Sequence, residues 1–113
     1  MLENGSYSVW FRTLLGEEMG VVMLEDGKIT GGDTVIAYKG SYSLAEDSFT
    51  ADISTERHTP GQLSVFGIDN VDLTLTGKST YTMASCRGTS RQAPGIAFEA
   101  IIIRITDSYD FAK

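Results

Sequence analysis

The chain has 113 residues, of which 15 are acidic and nine are basic, giving a formal net charge of −6 at pH 7. A chain of this length has room for one hydrophobic core, so we expect a single domain. The basic residues are scattered and outnumbered. This argues against direct contact with nucleic acid, because phosphate binding requires clustered Lys and Arg.

The single cysteine, Cys86, rules out an intramolecular disulfide. Residues 1–5, MLENG, lack the basic and apolar regions of a secretory signal. No apolar run approaches the length of a membrane span. We therefore expect a cytoplasmic protein without membrane contact.

Apolar and polar residues alternate along most of the chain, beginning with Tyr7, Val9 and Phe11. This period of two is typical of strands that have one buried and one exposed face. No long window keeps the 3.6-residue apolar stripe of a helix. In chain order, strands are predicted over residues 6–12, 19–24, 28–30, 35–43, 49–55, 71–76, 80–86 and 96–106.

Turn residues separate these runs. Asp26 and Gly27 predict a type I′ hairpin, because both central positions of that turn need positive φ angles. The segments 31–33 (GGD), 45–48 (AEDS) and 77–79 (GKS) predict further breaks. Residues 58–70 and 89–95, each with Pro-Gly, predict the longer loops.

About eight short strands joined by turns predict an all-β fold. An antiparallel up-and-down β-barrel is the expected architecture because closure removes exposed strand edges. A two-sheet sandwich is the alternative. We expect one barrel domain over residues 1–106 and a C-terminal tail over residues 107–113.

Some segments are more specific than strand patterning. They are residues 4–11 (NGSYSVWF), 20–22 (GVV), 26–33 (DGKITGGD), 38–40 (YKG) and Tyr42. Together they resemble the GrlR-like family of negative regulators of type III secretion, firmly over residues 1–45 and more weakly through residue 106. The resemblance implies a small, dimeric, lipocalin-like β-barrel that represses by holding a transcriptional activator rather than by binding DNA.

The residues of this motif also have structural roles of their own. Gly27 allows the hairpin to turn, and Gly31 with Gly32 permits a bulge or strong local coiling. Asp33 is placed to accept hydrogen bonds from backbone amides exposed at such a break. We interpret the motif as mainly architectural.

The turn after the YKG strand departs from the family pattern. Pathogen-type members carry four consecutive acidic residues there, whereas this chain keeps only Glu46 and Asp47. Two carboxylates in a turn are most often solvated charge, since turns are polar by default. The functional hypothesis is that Glu46 and Asp47 contact a basic patch on a protein partner.

Catalytic chemistry has little support. His58 is the only histidine, and no nucleophile elbow accompanies it. One His and one Cys cannot supply a zinc site, and the acidic pairs lack the pattern of a calcium loop. No Walker-type phosphate loop is present. We expect no enzyme activity and no cofactor.

An eight-stranded barrel encloses either packed side chains or one small ligand. The predicted interior residues are Tyr7, Val9, Phe11, Phe49, Ile53, Leu73, Leu75, Met83 and Phe98. A fully packed core is the default, and a cavity for a small apolar ligand is the alternative.

The last predicted strand is apolar on both faces. Phe98, Ala100 and Ile102 alternate with a second apolar set, Ile101, Ile103 and Ile105. A strand of this kind must be covered on both sides. We therefore predict that Ile101, Ile103 and Ile105 form a homodimer interface.

Two functions are compatible with these features. The first is a non-catalytic regulatory protein that sequesters a protein partner, with a transcriptional activator as the partner implied by the family resemblance. The second is a lipocalin-like carrier of a small apolar ligand in the barrel interior. A filled barrel with an apolar outer face favours the first, and an open apolar cavity favours the second.

Overall fold

The computed structural model describes residues 2–33, 36–58 and 70–105, and its secondary structure consists of β-strands. The strands are β1 (Gly5–Thr13), β2 (Gly16–Glu25), β3 (Lys28–Gly32), β4 (Ile36–Ala45), β5 (Ser48–Arg57), β6 (Asp72–Ser79), β7 (Met83–Ser90) and β8 (Ala97–Arg104). The predicted tail, residues 107–113, and most of the predicted loop over residues 58–70 lie outside the described residues.

The strands form a closed barrel. Each strand pairs antiparallel with the next along the chain, and β8 closes the barrel by pairing antiparallel with β1. Both sides of every strand therefore have hydrogen-bonded neighbours, which removes the free edges of an open sheet. This confirms the predicted up-and-down barrel over the sandwich.

The β2–β3 hairpin forms as Asp-Gly predicts. Asp26 has φ 50° and Gly27 has φ 86°, the two positive angles of a type I′ turn. Asn4 ties this turn to the N-terminal segment. Its side chain donates to Asp26 Oδ1 at 3.0 Å and accepts from the Asp26 N–H at 3.2 Å.

The predicted break at residues 31–33 is wrong for its two glycines, because Gly31 and Gly32 belong to β3 and pair with both β2 and β4, so the strand ends only before Asp33. Gly31 has φ 155°, and a Cβ there would lie 2.1 Å from the Val21 carbonyl oxygen, so only glycine fits. Asp33 then accepts a hydrogen bond from the Ile36 N–H at 2.7 Å through Oδ1. Its Oδ2 accepts from the Tyr38 hydroxyl at 2.8 Å. The carboxylate therefore satisfies a backbone donor and a largely buried side-chain donor together.

The barrel interior is lined by alternate residues of all eight strands. Eight of the nine predicted interior residues are buried, and Met83 is the error, since its side chain is 42% exposed. The inward residues of β7 are instead small, beginning with Ala84 and Cys86. One cross-strand row explains why small residues fit there: Phe49, Gly77, Cys86, Ala100 and Phe11 are successive neighbours, so two aromatic rings flank three small residues.

The strand β7 also begins and ends later than predicted. The predicted break at residues 77–79 belongs to β6, and the first three residues of the predicted strand over residues 80–86 form the connection before β7. Gly77 lies within the sheet, paired with Phe49 and Cys86. A larger residue would not fit there, because a Cβ would be 2.0 Å from the Ser85 carbonyl oxygen. Glycine here permits close approach of two backbones rather than a turn.

Candidate functional site

The strand β8 is apolar on both faces, as predicted. Phe98, Ala100 and Ile102 are buried inside the barrel. On the outside, Ile101 is half-buried and Ile103 is 48% exposed. Ile105, just beyond the strand, is half-buried, and its N–H donates to the Ser6 carbonyl at 2.8 Å.

Neighbouring strands extend this outer surface. In the register of the sheet, Ile101 pairs with Trp10 of β1, and Trp10 pairs with Met19 of β2. In the next row, Met83 of β7 pairs with Ile103, which pairs with Ser8. We call the resulting surface on β7, β8, β1 and β2 the apolar face. Its members are Trp10, Met19, Val21, Met23, Met83, Ile101, Ile103 and Ile105.

Five of the eight large hydrophobic side chains that are exposed in the described structure belong to the apolar face: Met19, Val21, Met23, Met83 and Ile103. The opposite wall, on β4, β5 and β6, has polar residues at its outward positions apart from Ala37 and Ala45. The polar residues are Lys39, Ser41, Ser43, Thr50, Asp52, Ser54, Glu56, Asp72, Thr74, Thr76 and Lys78. Single exposed apolar residues are ordinary on a protein surface, but a contiguous group on one wall marks an interaction surface.

A row of alternating charge borders the apolar face. Across the four strands, Arg87 pairs with Glu99, Glu99 with Arg12, and Arg12 with Glu17. The Arg12 guanidinium is 3.0 Å from Glu99 Oε2 and lies 5.3 Å from the Trp10 ring centroid. We call these four residues the charged row.

The interior beneath the apolar face is nearly filled. A central void lined by described residues has a volume of about 10 Å³, and its apolar lining includes Phe11, Leu24, Leu75 and Ile102. A void of this size holds at most about one water molecule. Phe11 fills part of this space by packing edge-to-face on Tyr38, with ring centroids 5.5 Å apart.

The predicted acidic contact lies on the far side of the barrel. Glu46 and Asp47 are exposed in the turn between β4 and β5. In the order of the eight strands, β4 lies opposite β8 and β5 lies opposite β1. Asp47 forms an exposed ion pair with Lys78 at 3.6 Å. The structure therefore does not bring the predicted partner-binding turn and the predicted dimer strand together, and Lys78 partly neutralises the turn.

The described residues offer little for catalysis. His58 Nε2 lies 3.1 Å from the Asp33 carbonyl oxygen at the exposed end of β5. Burial raises the pKa of the Cys86 thiol to about 11, so the reactive thiolate is scarce at neutral pH. Within residues 2–33, 36–58 and 70–105, no group of three or more His, Cys, Asp or Glu side chains could hold a metal ion.

Sequence reasoning missed most of the apolar face outside β8. Trp10, Met19, Val21, Met23 and Met83 were not assigned to it. One signal was present, because residues 21–24 (VVML) are apolar at consecutive positions, which predicts a strand with two apolar faces. The contributions of Trp10 and Met83 depend on the pairing register, which the composition of either strand alone does not determine.

Comparisons with known proteins leave the chain without an assigned family. No protein-family model and no curated protein matches it. The likeness of its N-terminal motif to the GrlR-like family therefore stays a prediction from sequence. In the part of the chain that the structure describes, no helix has the length and hydrophobicity needed to span a membrane.

Proposed function

We propose that this protein is a non-catalytic regulatory binding protein that acts through protein contacts on the outside of its barrel. The observation that carries the proposal is the apolar face, where exposed Met19, Val21 and Ile103 lie on one wall above a nearly filled interior. Apolar side chains on an outer wall are stabilised when another protein covers them.

The closed barrel restricts how a protein partner can bind. Because every strand pairs with two neighbours, most of the sheet has no free edge that a peptide could extend. We therefore assign recognition mainly to side chains of the outer walls and to the turns. The acidic turn, Glu46 and Asp47, supplies exposed carboxylates for a basic patch on a partner. A transcriptional activator is the partner implied by the resemblance to GrlR-like regulators.

The carrier alternative has weaker support. A drug-sized ligand occupies a pocket of roughly 300–1,000 Å³, whereas the central void is about 10 Å³. The barrel interior is occupied by buried aromatic side chains, among them Phe11, Tyr38 and Phe49. The outer surface is therefore the better-supported place for binding.

Affinity capture from native lysate, read by mass spectrometry, tests the proposal when parent and variants are compared. The variants are Ile103→Glu on the apolar face and the pair Glu46→Lys with Asp47→Lys at the acidic turn. The matched control is Asp52→Lys with Glu56→Lys, which reverses two exposed acidic residues on β5. We expect a protein recovered equally by parent and control and lost with one of the two test variants. Recovery of the bait alone, or equal recovery by all four proteins, would refute the proposal.

A further inference from the structure

We propose that a notch in the rim of the barrel, between the end of β1 and the start of β8, captures the carboxyl-terminal end of a peptide whose last side chain is apolar. We call this site the rim notch. Its lining includes Arg12, Leu14, Arg87, Gly95, Ala97 and Glu99. The proposal rests on the proposed function only in taking a protein segment as the ligand, because the rim notch lies outside the apolar face and away from the acidic turn.

The rim notch exists because β1 and β8 part near the rim. The last residue pair between these strands is Arg12 with Glu99, whereas β8 begins earlier, at Ala97. On its other side, Ala97 is paired with Thr89 of β7. Beyond Arg12, β1 runs into its turn with β2, where Leu14 is 98% exposed. An open groove of about 770 Å³ lies between this turn and the start of β8.

The backbone of Ala97 faces the open side of this groove. Along β8 the N–H groups alternate in direction, and that of Arg104 donates to the Thr82 carbonyl, towards β7, at 2.8 Å. The next N–H, of Ile105, donates to the Ser6 carbonyl, towards β1, at 2.8 Å. Steps of two residues back from Ile105 direct the N–H and C=O of Ala97 towards β1 as well. Within the described residues, β1 offers neither group a hydrogen-bond partner. An extended peptide can pair with both.

The rim notch accepts the end of a chain. A peptide that pairs with Ala97 and continues along β8 meets the cross-strand pair of Arg12 and Glu99, where β1 already occupies the next position. The incoming chain therefore ends at this pair. A peptide that runs parallel to β8 places its carboxyl-terminus at the closed end, and an antiparallel one places its amino-terminus there.

Charge at the closed end favours the carboxyl-terminus. Arg12 and Arg87 flank Glu99 in the charged row, so two guanidinium groups and one carboxylate leave one positive charge. Glu99 is held by Arg12 at 3.0 Å. Arg87 is exposed and has no ion pair within the described residues. A terminal carboxylate therefore gains a charged partner in Arg87, whereas a terminal ammonium group is repelled.

The open side of the rim notch favours an apolar last side chain. Leu14 is almost fully exposed on one side, and the small Ala97 lies on the other. A side chain placed between them removes apolar surface of Leu14 from water, which is favourable. Gly95 leaves room for it, because a Cβ at this position would have no neighbour within 4 Å among the described residues beyond its own chain neighbours.

The binding test uses fluorescein-labelled peptides of the form Gly-Ser-Gly-X-Z, in which the last two residues are Val, Leu, Ile or Phe. Each peptide is made with a free carboxyl-terminus and as the carboxyl-terminal amide, and binding is read by fluorescence anisotropy. We expect free-carboxylate peptides to bind, and the matching amides to bind at least about tenfold more weakly. The absence of binding by every free-carboxylate peptide up to about 1 mM, or equal binding of the amides, would overturn the proposal.

Two variants and a matched control locate the binding. Arg87→Met keeps an unbranched side chain without the charge, so it should weaken the free-carboxylate peptides at least about fivefold and the amides hardly at all. Gly95→Trp fills the groove and should weaken both forms at least about tenfold. Lys39→Met removes an exposed cation on β4, on the opposite wall, and should bind like the parent. Circular dichroism checks that every variant is folded. Parent-like binding by both Arg87→Met and Gly95→Trp would refute the site.

Amide hydrogen exchange followed by NMR tests the open backbone without any substitution. In the free protein, the N–H of Ala97 should exchange at least about tenfold faster than that of Glu99, which is paired with Arg12. A saturating free-carboxylate peptide should slow exchange at Ala97. A protected Ala97 N–H in the free protein would contradict the notch. Isocaproate has a carboxylate and an apolar chain but no peptide group, and displacement of the peptide by isocaproate at equal concentration would overturn capture of a peptide end.

These outcomes are distinct from failure of the proposed function, which is read by partner capture from lysate. A captured protein that depends on Ile103 or on the acidic turn, together with no peptide binding, would remove the rim notch and leave the proposed function. Peptide binding that depends on Arg87 and Gly95, together with recovery of the bait alone, would leave the rim notch and remove the regulatory proposal.

Discussion

Met83 and Ile103 are cross-strand partners whose side chains both point out of the barrel wall, where they are 42% and 48% exposed. Their pairing extends the apolar surface of β8 onto β7. Ile102, next in the chain to Ile103, is buried inside the barrel at 2% exposure. One peptide unit therefore separates a core position from an exposed position on the outer wall.

This alternation predicts a large loss of stability for one of two neighbouring truncations and a small loss for the other. Ile102→Ala should lower the free energy of unfolding by about 2–4 kcal/mol, because it removes buried methyl groups and leaves a cavity. Ile103→Ala should lower it by less than about 1 kcal/mol at concentrations where the protein is monomeric. Urea denaturation of both variants gives the comparison. Equal losses would mean that Ile103 packs within the monomer.

Cys86 should be chemically quiet in the folded protein. Burial raises the pKa of its thiol to about 11, so only about one thiol in a thousand is ionised at a pH near 8. A thiol-reactive chromophore should therefore modify native Cys86 much more slowly than Cys86 in denaturant. Fast reaction without unfolding would contradict the buried position of this side chain.

The hydrogen bond from Tyr38 to Asp33 should make stability sensitive to alkaline pH. Burial, followed by the hydrogen bond and negative charge of Asp33, raises the pKa of the Tyr38 hydroxyl above its ordinary value of 10.0. The folded state therefore prefers the protonated phenol. The contribution of the protonated Tyr38 hydroxyl to the free energy of unfolding is fully present below the unfolded-state pKa, and it is lost as pH rises above about 10.

Denaturant titrations from about pH 8 to pH 11 check this dependence. Tyr38→Phe should lower stability at pH 8 by about 1–3 kcal/mol, because Asp33 loses a donor. Its stability should fall less steeply than that of the parent at alkaline pH. Tyr81→Phe, at a 68% exposed tyrosine, is the matched control and should follow the parent. A parent curve that is flat above pH 10 would contradict the expectation.

The fold was largely predictable because its signals are local. Strict alternation marked β5 and β6, and Asp26 with Gly27 marked the β2–β3 hairpin. The face assignment of β7 was not predictable in the same way. Its sequence places Met83 beside Ala84, and hydrophobicity alone favours Met inside. The barrel instead needs small inward residues there, because Phe11 and Phe49 occupy the space from neighbouring strands.

The apolar face shows the same division. Ile101, Ile103 and Ile105 could be grouped from β8 alone, since two apolar faces on one strand are visible in a single stretch of sequence. Trp10 and Met19 join them only through the register of three strands. A one-residue shift would move either side chain to the other face. Long-range pairing of this kind is not encoded by any local pattern.

Ser79 is a site where removing a polar group should stabilise the barrel. Its hydroxyl is buried and lacks a hydrogen-bond partner in the described structure. A buried unsatisfied polar group costs about 1–3 kcal/mol. Ser79→Ala should therefore raise the free energy of unfolding by about 1 kcal/mol, as measured by urea denaturation. Ser90→Ala is the comparison. Ser90 is also buried, but its hydroxyl accepts a hydrogen bond from the Ala93 N–H at 3.0 Å, so this variant should be less stable than the parent.

Glu46 combines an unfavourable backbone conformation with the proposed contact role. Its φ of 58° lies in the left-handed region, which costs an L-residue about 1–2 kcal/mol. Glu46→Gly removes this cost, partly offset by the greater chain entropy of glycine in the unfolded state. We expect a net gain of about 0.5–1 kcal/mol in the free energy of unfolding.

Glu46→Ala separates conformation from charge at this turn. Alanine keeps the left-handed strain while it removes the carboxylate, so its stability should stay close to that of the parent. If Glu46→Gly is stabilised and Glu46→Ala is not, the strain resides in the backbone, and a glutamate there is retained for something other than stability. Loss of the captured partner with both variants would then place that role in the carboxylate. Equal stabilisation by Gly and Ala would instead indicate that charge repulsion, rather than backbone conformation, destabilises the turn.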